Sequence, residues 1–226
     1  MTTLTPCSLA TAPLAPLLQR LFDEADAASP AQSPAFAHVS AEERTRLMQS
    51  KADYRDLYAQ LKDYPLPVSR ETGALLYMLA RSVGAKSIVE FGTSFGLSTL
   101  HLAAALRDNG GGRIITTEFE PSKAARAQAN LTAGGVADLV EIREGDALQT
   151  LASGLPETID LVLLDGAKSL YGDILDLLES RLRVGALIVA DNADYCPEYM
   201  ARVRSAASGY LSVPFADDVE LSVRLG

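Results

Sequence analysis

The feature that most constrains the fold is an alternation of apolar strands and helical segments through the middle of the chain. Five segments rich in Ile, Val and Leu have the composition of buried strands: Ser87–Phe91, Arg113–Glu118, Val140–Arg143, Ile159–Asp165 and Ala186–Ala190. Between and after them the pattern predicts helices near Ser98–Arg107, Pro121–Ala133, Ala147–Leu151, Tyr171–Leu182 and Glu198–Ser208. Such alternation predicts a parallel sheet with helices on both faces.

The end of the chain departs from this alternation. Two short strand-like segments, "YLSVPF" and "VELSVRL", are separated by only three residues. So short a connection predicts a hairpin, and the last strand should then run antiparallel to the others. The predicted fold class is therefore α/β, with a doubly wound, mostly parallel seven-stranded sheet, an antiparallel C-terminal hairpin strand and extra N-terminal helices.

The N-terminal region differs in composition from the rest. It is rich in Ala and Pro at first, with a short helix predicted around 17–27, and a second helical segment starts at Ser40. Ser40 followed by Glu43 forms a capping-box pattern. We predict that residues 1–64 form a helical arm, which packs on the core or on a partner subunit, and that residues 65–226 form the main domain.

Composition narrows the classes of function. The chain has 226 residues and a net charge of −9, which argues against a nucleic-acid partner, because phosphate binding depends on clustered cations. The same charge disfavours a strongly anionic substrate, although a local basic pocket could override the average. The two cysteines, Cys7 and Cys196, lack disulfide or metal-site spacing, and no signal peptide or membrane span is apparent. A cytoplasmic protein without a membrane partner is expected.

A glycine turn follows the first strand, in "SIVEFGTSFGLSTL". A dinucleotide fingerprint would need a further glycine where Ser94 stands, since that glycine lets the backbone approach a pyrophosphate. With only Gly92 and Gly96 present, the turn suits a ligand without a pyrophosphate. Glu90 adds a negative charge that would attract a cationic ligand, such as the amino group of S-adenosylmethionine.

Two further acids stand at strand ends. Glu118 ends the second strand, where a carboxylate can accept both hydroxyls of a ribose. Asp146 and Ala147 follow the third strand, in "REGDALQTL", and are placed to border an adenine. Taken alone, Gly96 could merely allow tight packing of a helix on a strand, and Glu118 could be a solvated strand end. Together with the strand–turn–helix context, they favour a nucleoside ligand.

The next two strands each end in an acid as well. Asp165 follows "IDLVLL", and Asp191 with Asn192 follows "ALIVA". Two carboxylates and an amide carbonyl are hard oxygen ligands, suited to Mg²⁺ or a similar divalent cation. The alternative is that Asp191 and Asn192 only end a strand and begin a turn. Lys168 lies three residues after Asp165 and can reach the same ligand oxygen, with Tyr171 three residues further on.

These motifs resemble the catechol and caffeoyl-CoA O-methyltransferase family, whose members are class I enzymes that bind S-adenosylmethionine and a divalent metal on a Rossmann-like fold. The resemblance covers about 67–226 and rests on "PVSRETGALL", "IVEFGTSFGLSTL", "TTEFEPSKAARAQANLTAGGV", "EGDALQTL", "DLVLLDGAKSLY" and "IVADNA". It implies that Asp165, Asp191 and Asn192 hold the metal and that Lys168 is the general base. It also implies a methyl-donor site lined by Val68, Glu90, Gly92, Thr93, Ser98, Glu118, Asp146, Ala147 and Asp165. The chain departs from the family at Leu97, where many members carry an aromatic residue, and it contains no Trp.

The resulting hypothesis is a cytoplasmic O-methyltransferase that methylates a hydroxyl of a small catechol-like or phenolic acceptor. Lys168 would take the phenol proton, so its pKa should fall from about 10.4 towards neutrality. By resemblance we expect a homodimer. Two alternatives remain. An NAD-dependent oxidoreductase is disfavoured by Ser94. A non-enzymatic nucleoside-binding regulatory protein is disfavoured because a site that had lost its activity should have lost some members of the intact set Asp165, Lys168, Asp191 and Asn192.

Overall fold

A computed structural model describes residues 7–28, 30, 33, 36, 39–205, 207–216 and 218–226. In these ranges the strands form one sheet: β1 (Ser87–Phe91), β2 (Arg113–Glu118), β3 (Val140–Glu144), β4 (Ile159–Leu164), β5 (Leu182–Ala190), β6 (Tyr210–Phe215) and β7 (Val219–Arg224). Their order is β3-β2-β1-β4-β5-β7-β6. The first five strands pair in parallel, and β7 runs antiparallel to both β5 and β6. The predicted fold class is confirmed.

The strand register determines which residues meet at the carboxyl edge of the sheet. Phe91 pairs with both Thr117 and Leu164, and Leu164 pairs with Ala190. The residues that come directly after these positions therefore leave the sheet at the same level. Gly92, Asp165 and Asp191 are thus brought side by side by backbone pairing alone.

Helices cover both faces of this sheet. They are α1 (Leu14–Ala27), α2 (Ala41–Gln49), α3 (Tyr54–Gln60), α4 (Arg70–Ser82), α5 (Leu97–Asp108), α6 (Pro121–Ala133), α7 (Ala147–Thr150), α8 (Tyr171–Leu178) and α9 (Pro197–Val203). One apolar cluster joins the sheet to α1, α4 and α5, and a second joins the opposite face to α8 and α9. The sheet is therefore buried on both faces, as its continuous apolar strands require.

The N-terminal segment packs on the core in two different ways. Leu17 and Leu21 of α1 belong to the same apolar cluster as Leu100 of α5. By contrast, α2 and α3 lie over the carboxyl edge of the sheet, where α2 packs against the short 3-10 turns 168–170 and 193–195. The Lys51 ammonium is 2.5 Å from the Asp173 carboxylate, which ties the α2–α3 connection to α8. The division into an arm of 1–64 and a domain of 65–226 remains a prediction.

Several element bounds differ from the predicted ones. The segment 40–64 contains two helices, because the Ser50 hydroxyl accepts hydrogen bonds from the backbone N–H of Ala52 and Asp53 and so starts a new turn. The predicted helix 171–182 ends at Leu178 and continues as a 3-10 turn, while β5 begins at Leu182 rather than Ala186. No helix in the described ranges is long and apolar enough to cross a membrane.

Candidate active site

The glycine turn after β1 is required by the close approach of two strands. Gly92 has φ +102°, and a Cβ atom there would lie 2.5 Å from the backbone oxygen of Asp165. Gly96 has φ +86° and caps α5, with only ordinary contact to Ala127. Gly92 therefore lets β1 and β4 end side by side, and Gly96 provides the left-handed backbone at which α5 begins.

Behind this turn lies a buried carboxylate network. The fully buried Glu90 accepts hydrogen bonds from the hydroxyls of Ser98, Thr99 and Thr116, each at 2.6 Å. Burial raises the pKa of Glu90 to about 7, although the three hydroxyl donors lower it in part. Thr93, also buried, shares a 2.6 Å hydrogen bond with Thr116. Glu90, Thr93 and Ser98 thus support the turn from within the core, and Val68 is buried just before α4.

A cavity of about 720 Å³ lies in front of the turn. Five of the residues expected at a donor site line it: Gly92, Glu118, Asp146, Ala147 and Asp165. Glu118 accepts hydrogen bonds from the backbone N–H of Ser94 at 2.8 Å and of Glu120 at 2.9 Å. Burial raises the pKa of Glu118, while these backbone donors and the Lys123 ammonium lower it. We call this the donor cavity.

Helix α3 covers the donor cavity. The Arg55 guanidinium donates to the Asp146 carboxylate at 2.6 Å, and Asp146 also accepts from the backbone N–H of Leu148 at 3.0 Å, which caps α7. The Tyr58 hydroxyl donates to the backbone oxygen of Gly166 at 3.3 Å. Both α3 side chains line the donor cavity, so its outer wall comes from the N-terminal segment.

A second, wider cleft of about 1300 Å³ lies on the other side of Asp165. Lys168, Asp191 and Asn192 line it, together with residues of α2 and of the segment before it. Tyr58, Leu66 and Asp165 line both spaces. The donor cavity and this second space, which we call the acceptor cavity, therefore meet at these three residues.

Lys168 lies at this junction in a chain of polar contacts. Its ammonium donates to the Asp165 carboxylate at 2.8 Å and to the Tyr171 hydroxyl at 3.0 Å. The Tyr171 hydroxyl in turn donates to the backbone oxygen of Asp191 at 2.7 Å. Burial lowers the pKa of Lys168, but the negative charge of Asp165 and the other neighbours raises it more, so that it lies well above its ordinary value. Tyr171 thus fixes the position of Lys168, and the lysine is held as a cation.

The two strand-end carboxylates and Asn192 can hold a divalent cation. Burial and the negative charge of the neighbouring Asp165 carboxylate together raise the pKa of Asp191 to about 8, although the Lys168 ammonium lowers it in part. Asn192 has a left-handed backbone, and its amide N–H₂ donates to Asp218 at 2.7 Å, which leaves its oxygen as the ligand atom. No group of three or more His, Cys, Asp or Glu side chains gathers in the described ranges, so an oxygen set here has to include the amide. Two carboxylates and one amide oxygen fit a hard cation.

Comparison with known protein families identifies the family of the chain. A family model described as O-methyltransferase matches residues 38–206, well over half of the chain. The chain belongs to the O-methyltransferase family. The resemblance drawn from the six sequence motifs is thereby confirmed at the level of the family.

Individual members of this family show how far the similarity extends. A catechol O-methyltransferase of Niastella koreensis is 38 % identical over 130 residues, which cover 56 % of this chain and 58 % of that protein. Catechol O-methyltransferase B of Danio rerio is 31 % identical over 182 residues, covering 76 % of this chain and 67 % of that protein. The chain thus matches less than two thirds of the first of these relatives.

A solved structure of the family extends the comparison to three dimensions. The O-methyltransferase TomG from Streptomyces achromogenes, solved in complex with S-adenosylmethionine, superposes with a TM-score of 0.62. It is 27 % identical, and the alignment covers 84 % of this chain and 92 % of that one. The shared fold therefore includes most of both chains.

Sequence reasoning missed the residues that α2 and α3 bring to this candidate site. Tyr54 and Tyr58 are four residues apart on one face of α3, a spacing that marks a buried face but does not say what the face covers. Lys123 is also buried beside the donor cavity, with its ammonium 5.7 Å from the ring centre of Phe95. The four-residue spacing of Tyr54 and Tyr58 was the one sequence signal that could have pointed to the outer wall of the donor cavity.

Proposed function

We propose that this chain transfers the methyl group of S-adenosylmethionine to a hydroxyl of a small catechol-like or phenolic acceptor. The observation that carries the proposal is the pair of cavities that meet at Asp165. One is lined by residues suited to a nucleoside, and the other contains Lys168 and the Asp191–Asn192 pair. A methyl transfer between two molecules needs two such sites that join at the reacting atoms.

The residues that line the donor cavity suit the chemistry of S-adenosylmethionine. Glu118 would accept the ribose hydroxyls, since backbone N–H groups already hold its carboxylate in place. Asp146 and Ala147 would border the adenine. The sulfonium of this donor supplies an electrophilic methyl group, so no covalent intermediate on the protein is needed.

Asp165, Asp191 and Asn192 would hold a divalent cation on the acceptor side. The cation would offset the two carboxylates and lower the pKa of an acceptor phenol. Lys168 would then receive the phenol proton on Nζ. In the described arrangement the raised pKa keeps Lys168 protonated, opposite to the expected fall towards neutrality. Its role as a base therefore requires that the negative charge of Asp165 and Asp191 be compensated.

Tyr58 would separate the donor from the acceptor except at the point of transfer. It is the one aromatic residue among the three that line both cavities. Burial raises the pKa of Tyr58 to about 12, so the phenol is neutral and can keep its hydrogen bond to Gly166 at physiological pH.

The test is to measure S-adenosylhomocysteine production with a panel of phenols, with and without a chelator. We expect turnover with catechols that the chelator abolishes and added Mg²⁺ restores. Donor binding without turnover on any phenol would favour the non-enzymatic alternative. Tight NADH binding with no affinity for S-adenosylmethionine would favour an oxidoreductase.

A further inference from the structure

The acceptor cavity contains an arginine that sequence reasoning did not single out. Arg44 lies on α2, is partly buried and lines the cavity that also contains Lys168 and Asp191. Its Nε atom is fully buried and forms no hydrogen bond to any described residue. The guanidinium lies 5.0 Å from the centre of the Phe36 ring. A buried guanidinium N–H is costly without an acceptor, so Arg44 is suited to bind an anionic group that enters the cavity.

The position of Arg44 is fixed by the packing of α2. Met48, four residues on, lies on the same face of the helix and also lines the cavity. Helix α2 contacts the 3-10 turn 168–170, which begins with Lys168, and the 3-10 turn 193–195, which follows Asn192. Arg44 is therefore presented to the acceptor cavity by the same helix that packs against the proposed catalytic turns.

Three of the four other charged residues that line this cavity form ion pairs with described residues, the exception being Asp191. Asp26 is paired with Arg70 at 2.7 Å, and Lys168 is paired with Asp165 at 2.8 Å. On α2 itself, Glu43 is paired with Arg46 at 2.6 Å. Among the described residues, no carboxylate lies within ion-pair distance of Arg44. Arg44 is thus a cation of this cavity that no described carboxylate compensates.

We infer that the acceptor is an anionic phenol, a catechol-like ring that also carries a carboxylate, and that Arg44 binds this carboxylate. The inference rests on the proposed function, because it takes the second cavity to be the acceptor site. A planar guanidinium can form two parallel hydrogen bonds with a carboxylate. A catechol with an amine side chain would instead meet a like charge.

The net charge of the protein cannot explain the selection of an anionic acceptor. A net charge of −9 repels anions at long range, so it gives no general attraction for an acid. Selection of an acidic acceptor then has to come from a local contact. Arg44 supplies such a contact, because its local positive charge can attract an anionic acceptor despite the negative net charge of the protein.

The test compares three matched ligands: 3,4-dihydroxybenzoate, 3,4-dihydroxybenzamide and 3,4-dihydroxybenzylamine. Their affinities are measured by calorimetry on the whole chain with S-adenosylhomocysteine and Mg²⁺ present, and turnover is measured separately. In the wild-type protein the acid should bind at least about tenfold tighter than the amide, as for one hydrogen-bonded ion pair at a partly buried site. The amine should bind more weakly than the amide.

Three variants assign this preference to Arg44. Arg44→Met should remove the preference for the acid and leave the affinity for the amide within about twofold, and Arg44→Glu should favour the amine. Arg46→Met is the matched control, because Arg46 lies on the same helix, is exposed and is paired with Glu43. It should leave all three affinities unchanged. Thermal unfolding of each variant checks that α2 still packs.

The outcomes separate this inference from the proposed function. Equal affinity of the wild-type protein for acid and amide, or an equal loss for all three ligands in Arg44→Met, would overturn the role of Arg44 while leaving methyl transfer intact. Selective, Arg44-dependent binding of the acid without turnover would support the inference and count against the proposed activity. Selective binding with turnover supports both.

Discussion

The buried carboxylate of Glu90 should make the protein less stable as the pH rises towards neutrality. Burial raises the pKa of Glu90 from an ordinary value of 4.5 to about 7. Between these two values the folded protein keeps a proton on Glu90 that the unfolded chain has released. Because the folded state then binds more protons, the free energy of unfolding falls with rising pH in this window and levels off above pH 7.

The size of this effect follows from the pKa difference. A shift of about 2.5 pKa units, at about 1.36 kcal/mol per unit, corresponds to about 3 kcal/mol. Glu90→Gln has nearly the same shape and cannot release a proton, so it should lack this fall in stability. The free energy of unfolding of the variant, relative to the wild-type protein, should therefore rise by about 3 kcal/mol between pH 4.5 and pH 7.

Urea unfolding followed by circular dichroism at several pH values from 5 to 8 measures this difference. A change in the hydrogen bonds to Ser98, Thr99 and Thr116 would add an offset that does not depend on pH, so the slope isolates the ionisation. Glu144→Gln is the control, because Glu144 is exposed at the end of β3. Parallel curves for the wild-type protein and Glu90→Gln would refute the buried, proton-holding carboxylate.

The remaining predictions concern the site and the assembly. Glu118→Ala should weaken binding of S-adenosylmethionine at least about tenfold in calorimetry without metal, as for a hydrogen bond to a charged group, and unchanged affinity would remove Glu118 from the site. Asp191→Ala should lose metal affinity but keep the donor, and its methylation rate should recover partly at high Mg²⁺ concentration; indifference to Mg²⁺ would contradict its role as a ligand. Lys168→Ala should lose about 10²–10⁴-fold in rate at neutral pH, with recovery at higher pH but not with Mg²⁺, whereas Lys62→Ala, exposed just after α3, should be neutral. Light scattering at micromolar concentration should show a homodimer, and a monomer would disprove this prediction.

The sheet edge could be predicted from the sequence because its placement follows from local patterns. Apolar strands of similar length in a parallel sheet end at one edge, so Asp165 and Asp191 had to lie near each other once the strands were recognised. The glycine turn after β1 was also predictable, because it directly follows a strand that the sequence pattern indicates. The close approach of Gly92 to the backbone of Asp165 also requires a glycine there, but this contact becomes visible only when both strands are in place.

The walls of the two cavities could not be predicted in this way. The contact of Arg55 with Asp146 joins residues 91 positions apart, and no local pattern in either segment indicates it. The break between α2 and α3 depends on one serine hydroxyl that binds two backbone N–H groups instead of solvent. That break determines which side chains of α2 and α3 face the sheet.

The site is thus built from two parts of the chain that are under different constraints. Asp165, Asp191 and Asn192 follow central strands whose register is fixed by backbone hydrogen bonds and buried side chains, so their positions can hardly change without loss of the fold. Arg44 and Tyr58 come from two short helices that are held to the core by a few side-chain contacts, such as the ion pair of Lys51 with Asp173. Substitutions in α2 and α3 can alter which acceptor enters without moving the sheet edge. The chemistry should therefore be set by the strand ends and the choice of acceptor by residues 41–60.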